Sequence, residues 1–269
     1  MRELGALRYE PTDKRIRGTL GDRTVIDSTR ALLVWEPKRV VPSYAVPVED
    51  VDGEIGAAGA GEPRPAGSEE IDAPRLGDQP VFDPSIPFSV HTAAGEPVTI
   101  RARHATREAA GFRASDPALS GYVIVDFDGF DAWYEEDERN VAHPRDPFHR
   151  IDIVHSSRNV RVELEGEILA ESSNPYLLFE PPLPVRYYLP REHVRTDLLR
   201  PSETRTFCAY KGRASYWSAA GADDVAWTYR EPLREAAEVT DRLAFFNERV
   251  DVVVDGELLE RPITPWSRR

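Results

Sequence analysis

Two stretches of this chain repeat one another, and that constrains its fold more than any other feature. RIRGTLGDRTVIDSTRALLVWEPKRVVPSYAVPVEDV lies near the start and NVRVELEGEILAESSNPYLLFEPPLPVRYYLPREHV in the second half. Ser28, Trp35, Glu36 and Pro37 fall opposite Ser172, Phe179, Glu180 and Pro181; after a one-residue slip Tyr44, Pro47 and Val51 fall opposite Tyr187, Pro190 and Val194. A period of about 143 residues is far beyond the ~20–50 of a solenoid, so the pattern predicts a duplicated domain. The ends of the copies correspond more faintly, FDGFDAWYEEDE from Phe127 with FNERVDVVVDGE from Phe246. The expected organisation is a diverged first copy over 1–150 and a second over 151–269. A stretch rich in Gly, Ala, Pro and acidic residues, about 52–87, is expected to be a mobile insertion, because it has little apolar surface to bury. From His143 the run HPRDPFHRIDIVHSSRN bridges the copies, and its prolines predict an extended course.

The element type follows from patterning. Proline (23) and glycine (17) are scattered along the chain, which suits short strands and turns. Alternation and β-branched or aromatic enrichment predict strands at 160–164, 167–171, 176–180, 186–189, 204–208, 214–218, 225–229 and 250–254. Asp255-Gly256 is the strongest hairpin signal. One helix is expected from Pro232 to about Phe246, where Leu233, Ala236, Ala237, Thr240 and Ala244 share a stripe. The expectation is therefore a mainly β protein of two tandem domains, each with one short helix at most.

Composition excludes several functions. A net charge of −13 disfavours nucleic acid, whose phosphates require clustered cations. No apolar run approaches the ~20 residues of a membrane span, and the charged N-terminus lacks the apolar core of a secretory signal; a soluble, cytoplasmic protein is expected. With one cysteine, Cys208, an intrachain disulfide and a multi-thiolate zinc site are impossible. No cofactor motif is present.

At RYYLPREHVRTDLLRPSETRTFCAYKGRASYWS the second copy resembles the bacterial family catalogued as domain of unknown function 427, also labelled nucleotidyltransferase-like. The marks are Arg186–Pro190, the Cys208, Tyr210, Lys211, Gly212 run, Tyr216-Trp217, Ala226-Trp227 and Phe245–Val252. The resemblance implies a compact β-rich module of β-tent type and no established activity. Nucleotidyl transfer finds no support in the residues, since neither a glycine-rich phosphate loop nor a close Asp pair is present. Ala209 stands where family members commonly have proline.

Chemically capable side chains concentrate in the second copy. Lys211, before a turn glycine, is placed to meet an anionic or carbonyl group, and Arg186, Tyr187, Tyr188, Tyr210, Tyr216 and Trp217 supply the aromatic and cationic lining of a small-molecule pocket. Cys208 with Lys211 is a candidate nucleophile, although no histidine lies within ten residues of it. Glu180, matched by Glu36, reads as structural. His143, Asp146 and His149 have helical metal-ligand spacing, but Pro144 and Pro147 oppose a helix, so no metal is expected. The acidic run Glu135–Glu138 reads as a solvated loop. Aligning Gly95 with Gly212 leaves the first copy with no counterpart of Lys211 or Tyr210. The expected function is binding of a small organic molecule, with anions among the candidates, by the second copy; an enzyme of transferase or hydrolase type using Lys211 or Cys208, and a protein-interaction module, are the alternatives. Oligomeric state is not legible.

Overall fold

The computed structural model of the chain describes residues 4–59, 73–76 and 79–267. Contacts divide it into two units, Met1–Pro74 with Pro80–Asp146 and Arg75–Gln79 with Pro147–Arg269. About half of the chain is strand, and helical structure is confined to 3-10 turns of three to six residues. No helix among the described residues is long and apolar enough to cross a membrane.

In the first unit the strands are β1 (Arg8–Pro11), β2 (Ile16–Leu20), β3 (Arg23–Ser28), β4 (Leu32–Trp35), β5 (Ser43–Pro47) and β6 (Glu54–Ala57). A short ladder, β7 (Arg75–Leu76) with β8 (Gln79–Pro80), stands apart. There follow β9 (Gly95–Ala102), β10 (Ala105–Ala114), β11 (Tyr122–Val125), β12 (Ala132–Glu135) and β13 (Glu138–Asn140). One sheet runs β1-β4-β5-β11-β10-β9-β6, and a second runs β13-β12-β2-β3.

The second unit comprises β14 (Asp152–His155), β15 (Val160–Leu164), β16 (Glu167–Ser172), β17 (Tyr176–Phe179), β18 (Arg186–Tyr188), β19 (Arg200–Cys208), β20 (Gly212–Ala219), β21 (Ala222–Pro232), β22 (Leu243–Phe245), β23 (Asp251–Val254) and β24 (Glu257–Leu258). Its sheets are β14-β17-β18, β19-β20-β21-β22 and β16-β15-β23-β24. Reciprocal backbone bonds between Leu189 and Leu243, 2.8 and 3.0 Å, join the first two. The joined order β14-β17-β18-β22-β21-β20-β19 is strand for strand that of the large sheet in the first unit.

Local detail follows the same plan. The opening hairpin slips register between Gly18 and Thr19 in one unit and between Val162 and Glu163 in the other. Pro47 and Pro190 each lead a 3-10 turn, with φ of −54° and −53°, close to the value the ring imposes. Val51 bridges Ile26, and Val194 bridges Ala170. The Asp255-Gly256 hairpin forms as its sequence predicts: both residues have positive φ, 53° and 87°, as a type I′ turn requires.

Alternation along the strands divides the second unit's core in two. Leu177, Tyr187, Leu189, Trp217, Ala226, Leu243 and Phe245 pack with Val160, Val162, Val252 and Val254 of the small sheet. On the opposite face Leu178, Tyr188, Ala214, Trp227, Tyr229 and Ala244 form a cluster with Phe246, Ala236 and Val239. The first unit repeats the division, its second cluster containing Val34, Ala45, Phe112, Leu119 and Ile124.

Three expectations need correction. The helix from Pro232 to Phe246 is not formed; β21 continues through Pro232, only Arg234–Val239 is 3-10, and Leu243–Phe245 is a strand. Ala236 leaves helical geometry, and Asp241 has φ of 57°. Pairing Ala244 with Trp227 and Leu243 with Thr228 outweighs a helical stripe that would leave the sheet open. In the acidic run, Glu135 is buried and accepts from the Tyr44 hydroxyl at 2.8 Å, while Glu136 and Asp137 form the turn of the β12–β13 hairpin. The 52–87 insertion is structured at both ends: Glu54–Ala57 pairs with β9, and Val81 and Phe82 are fully buried. Residues 60–72 and 77–78 of it lie outside the described residues.

Candidate functional site

Glu180 follows β17 directly, and Lys211 lies between β19 and β20. Gly212, with φ of 88°, lets the chain reverse immediately after Lys211, a conformation that strains residues with a side chain. The reversal brings the Lys211 ammonium onto Glu180, and both side chains are about nine-tenths buried. The other Glu180 oxygen meets His149 Nε2 at 3.2 Å, and the His149 ring lies against Tyr210, centroids 4.8 Å apart. Burial raises the Glu180 pKa, but Lys211 and His149 outweigh it and hold the carboxyl at about 2. Burial likewise opposes charge on Lys211, and its interactions with Cys208 and Glu180 overcome it, so its pKa is raised. Lys211 therefore stays an ammonium, a hydrogen-bond donor rather than an amine nucleophile.

Arg186 lies elsewhere on the same sheet face. Its two terminal nitrogens grip Glu248 at 2.7 Å each, and its guanidinium sits 5.5 Å from the ring centroid of Trp227, 5.8 Å from that of Phe246 and 5.5 Å from that of Trp266. Thr264 donates to Glu248 at 2.5 Å and completes the clamp. This cation is fully committed to holding the C-terminal segment on the sheet.

The remaining predicted residues divide by strand parity. Tyr188 shares the face of Lys211, and its hydroxyl accepts from Trp227 Nε1 at 3.0 Å. The Tyr216 hydroxyl is 2.7 Å from Thr206 Oγ1. Cys208, half-buried, receives the Tyr210 backbone N–H at 3.4 Å on its sulfur. Tyr187 and Trp217 point the other way, into the core between the sheets. The candidate metal residues each have a partner of their own: His143 the Pro144 carbonyl at 2.8 Å, Asp146 the Trp35 indole at 3.2 Å, and His149 Glu180. Among the described residues no cluster of His, Cys, Asp or Glu is arranged to hold a metal ion.

Sequence reasoning missed Tyr229. It stands two residues after Trp227 on β21, so it shares that face, and its side chain is nearly buried at 5% exposure. Among the described residues its hydroxyl has no hydrogen-bond partner. Burial raises its pKa well above the ordinary value, and Tyr188, Cys208, Tyr216 and Glu180 add to the effect. The signal available in the sequence was the i, i+2 spacing from Trp227.

The first unit answers differently at the matching place. Glu36 accepts from His91 Nδ1 at 2.8 Å and from the backbone N–H groups of Thr92 and Ala93 at 2.7 and 2.9 Å. His91 Nε2 approaches Asp126 at 3.1 Å, and its ring stacks on Phe112 at 4.0 Å. Burial opposes charge on His91, but the two carboxylates prevail and raise its pKa to about 9. A buried cation is therefore present in this unit, contrary to the alignment of Gly95 with Gly212. The ladders put Gly95 level with Ala214 instead, because Phe112 opposite Pro97 corresponds to Trp227 opposite Tyr216.

The family described as Domain of unknown function (DUF427) matches residues 152–256, once, within the second unit. No curated protein matches the chain.

Proposed function

We propose that the second unit binds a small organic molecule at the neighbourhood of Lys211, Tyr229, Cys208, Tyr188 and Tyr216, and that the first unit is a diverged tandem copy serving as scaffold. The observation that carries the binding reading is Tyr229, a largely buried side chain in the cluster of Tyr188, Tyr216 and Trp227 whose hydroxyl makes no hydrogen bond among the described residues. A hydroxyl with its bonding capacity unused on an aromatic face is a group that a ligand can engage. Shared strand order, register slip and proline-led turn support the duplication. Protonated Lys211 weighs against an enzyme that uses its amine. Burial of Tyr187, Tyr188, Tyr210 and Trp217 weighs against an interaction module that docks through them.

The test is a thermal-shift screen of a metabolite library against wild type and Tyr229→Phe. At least one compound is expected to raise the wild-type unfolding temperature and to act more weakly on the variant. A library without such a compound, or hits indifferent to Tyr229, defeats the reading.

A further inference from the structure

We infer that residues 261–267 form a detachable strap whose Trp266 ring is the removable wall of the Arg186 cage, so that a planar aromatic group can take the seat of Trp266 while the sheets stay intact. The inference does not rest on the small-molecule reading above. The last backbone bond tying this end of the described chain to the unit runs from the Leu259 N–H to the Val252 carbonyl at 2.9 Å. Beyond it, among the described residues, the segment bonds its backbone within itself. The Ser267 N–H donates to the Thr264 carbonyl at 3.0 Å, the Thr264 N–H to Ser267 Oγ at 2.9 Å and the Trp266 N–H to Thr264 Oγ1 at 3.2 Å. Pro262 and Pro265 have no N–H to offer a neighbouring strand.

Side chains therefore hold the segment in place. Arg261 meets Asp251 at 2.8 Å in a half-exposed pair, and Thr264 Oγ1 donates to Glu248 at 2.5 Å. The Trp266 ring centroid lies 5.5 Å from the Arg186 guanidinium and 6.0 Å from that of Phe246. Releasing these contacts strands no buried charge, because Glu248 keeps both terminal nitrogens of Arg186. Glu180 differs, since losing it would leave Lys211 unpaired. Opening the strap forfeits one hydroxyl bond, an exposed ion pair and the cover of one ring, a local event well short of unfolding the unit. It uncovers a seat of defined chemistry. The Arg186 guanidinium and the Phe246 ring form it, and Phe246 continues to Trp227 and Tyr216 at centroid distances of 4.5 and 6.4 Å. A cation beside an aromatic ring favours a planar π-system.

Hydrogen exchange resolved by residue, in low urea, tests the strap on the wild-type chain. The Thr264, Trp266 and Ser267 amides should exchange about a hundredfold faster than the hydrogen-bonded amides of β23, at a rate that urea leaves unchanged. Exchange of both sets with one rate and one urea dependence makes the segment part of the cooperative core and overturns the strap. Indole, the ring of Trp266 itself, tests the seat by NMR titration of the full chain. Trp266→Ala should bind indole with a Kd about fivefold or more below that of wild type, shifting the Phe246 and Asn247 amides. Equal Kd values, or no binding to a Trp266→Ala chain whose β23 exchange is that of wild type, overturn the seat. Thr264→Val loosens the strap and leaves the seat untouched, so it should speed Trp266 exchange and tighten indole; a variant that does neither overturns Thr264 as the anchor.

Discussion

Phe112 in the first unit and Trp227 in the second occupy matching rungs of their respective sheets, yet the surfaces around them differ in chemistry. Around Phe112 stand Ala45, Ala114 and Ile124, with His91 stacked on the ring and clamped by Glu36 and Asp126. Around Trp227 stand Tyr188, Tyr216 and Tyr229, with Lys211 on Glu180 nearby. Both units have a buried carboxylate directly after the second strand of the sheet order, and a cation to neutralise it. Only the second adds three hydroxyls and a thiol. The ion pair is therefore the common structural device, and the hydroxyl set is the part that calls for a functional explanation.

The largest effect expected from disturbing this comparison comes from the shared device. Glu180→Leu strands Lys211 as a buried, unpaired ammonium and should lower stability to urea by about 3–5 kcal/mol; adding Lys211→Met should recover most of it. Glu36→Leu should be similarly costly in the first unit. A loss below about 1 kcal/mol in either would show that the pair does not hold its unit together.

Alkaline pH should separate the units. His91 has its pKa raised from 6.5 to about 9 in the folded state, so its contribution is complete below 6.5 and disappears as pH rises through 9. The loss is on the order of 3 kcal/mol by pH 10. Hydrogen exchange resolved by peptide should show the first unit loosening between pH 7 and 10 while the second stays flat, since Lys211 titrates above its ordinary 10.5. His91→Gln should abolish that pH dependence. In acid Glu180, lowered from 4.5 to about 2, makes the second unit lose stability as pH falls below 4.5 and on through 2.

A smaller change is expected at the Arg186 clamp. Thr264→Val removes a hydroxyl donor to Glu248 and should cost about 1–2 kcal/mol in the second unit alone, read from its unfolding midpoint. Smallest of all is Tyr229→Phe. Its hydroxyl supports no bond among the described residues, so thermal unfolding should shift by no more than about 0.5 kcal/mol, or rise, even as ligand binding falls. A large loss of stability there would make Tyr229 a structural group like Glu180.

Much of this organisation was legible in the chain before folding was considered. The Asp255-Gly256 turn anticipated its hairpin, and Glu180, read as structural, is a buried acid paired with Lys211. Alternation located β15, β16 and β23 to within a residue or two. Lys211 and Tyr188 were recognisable as chemically capable, but their partners were not. Glu180 is 31 residues from Lys211, and Glu248 is 62 from Arg186, and no local pattern links groups at such separations. Tyr187 and Trp217 looked equivalent to Tyr188 and Tyr216 because composition does not reveal strand parity until the register is known. The helical stripe from Leu233 misled for a related reason: the sheet needed β22 between β18 and β21.

Taken alone, the sequence determined strand content and the concentration of polar aromatic residues in the second half, because strand content depends on periodicity and turn chemistry within a few residues and composition is read directly. The tertiary structure decided which of those side chains share a face, which cations are neutralised and which hydroxyl is left over. Those outcomes depend on pairing between strands far apart in the chain, where a carboxylate delivered by one turn meets an ammonium delivered by another.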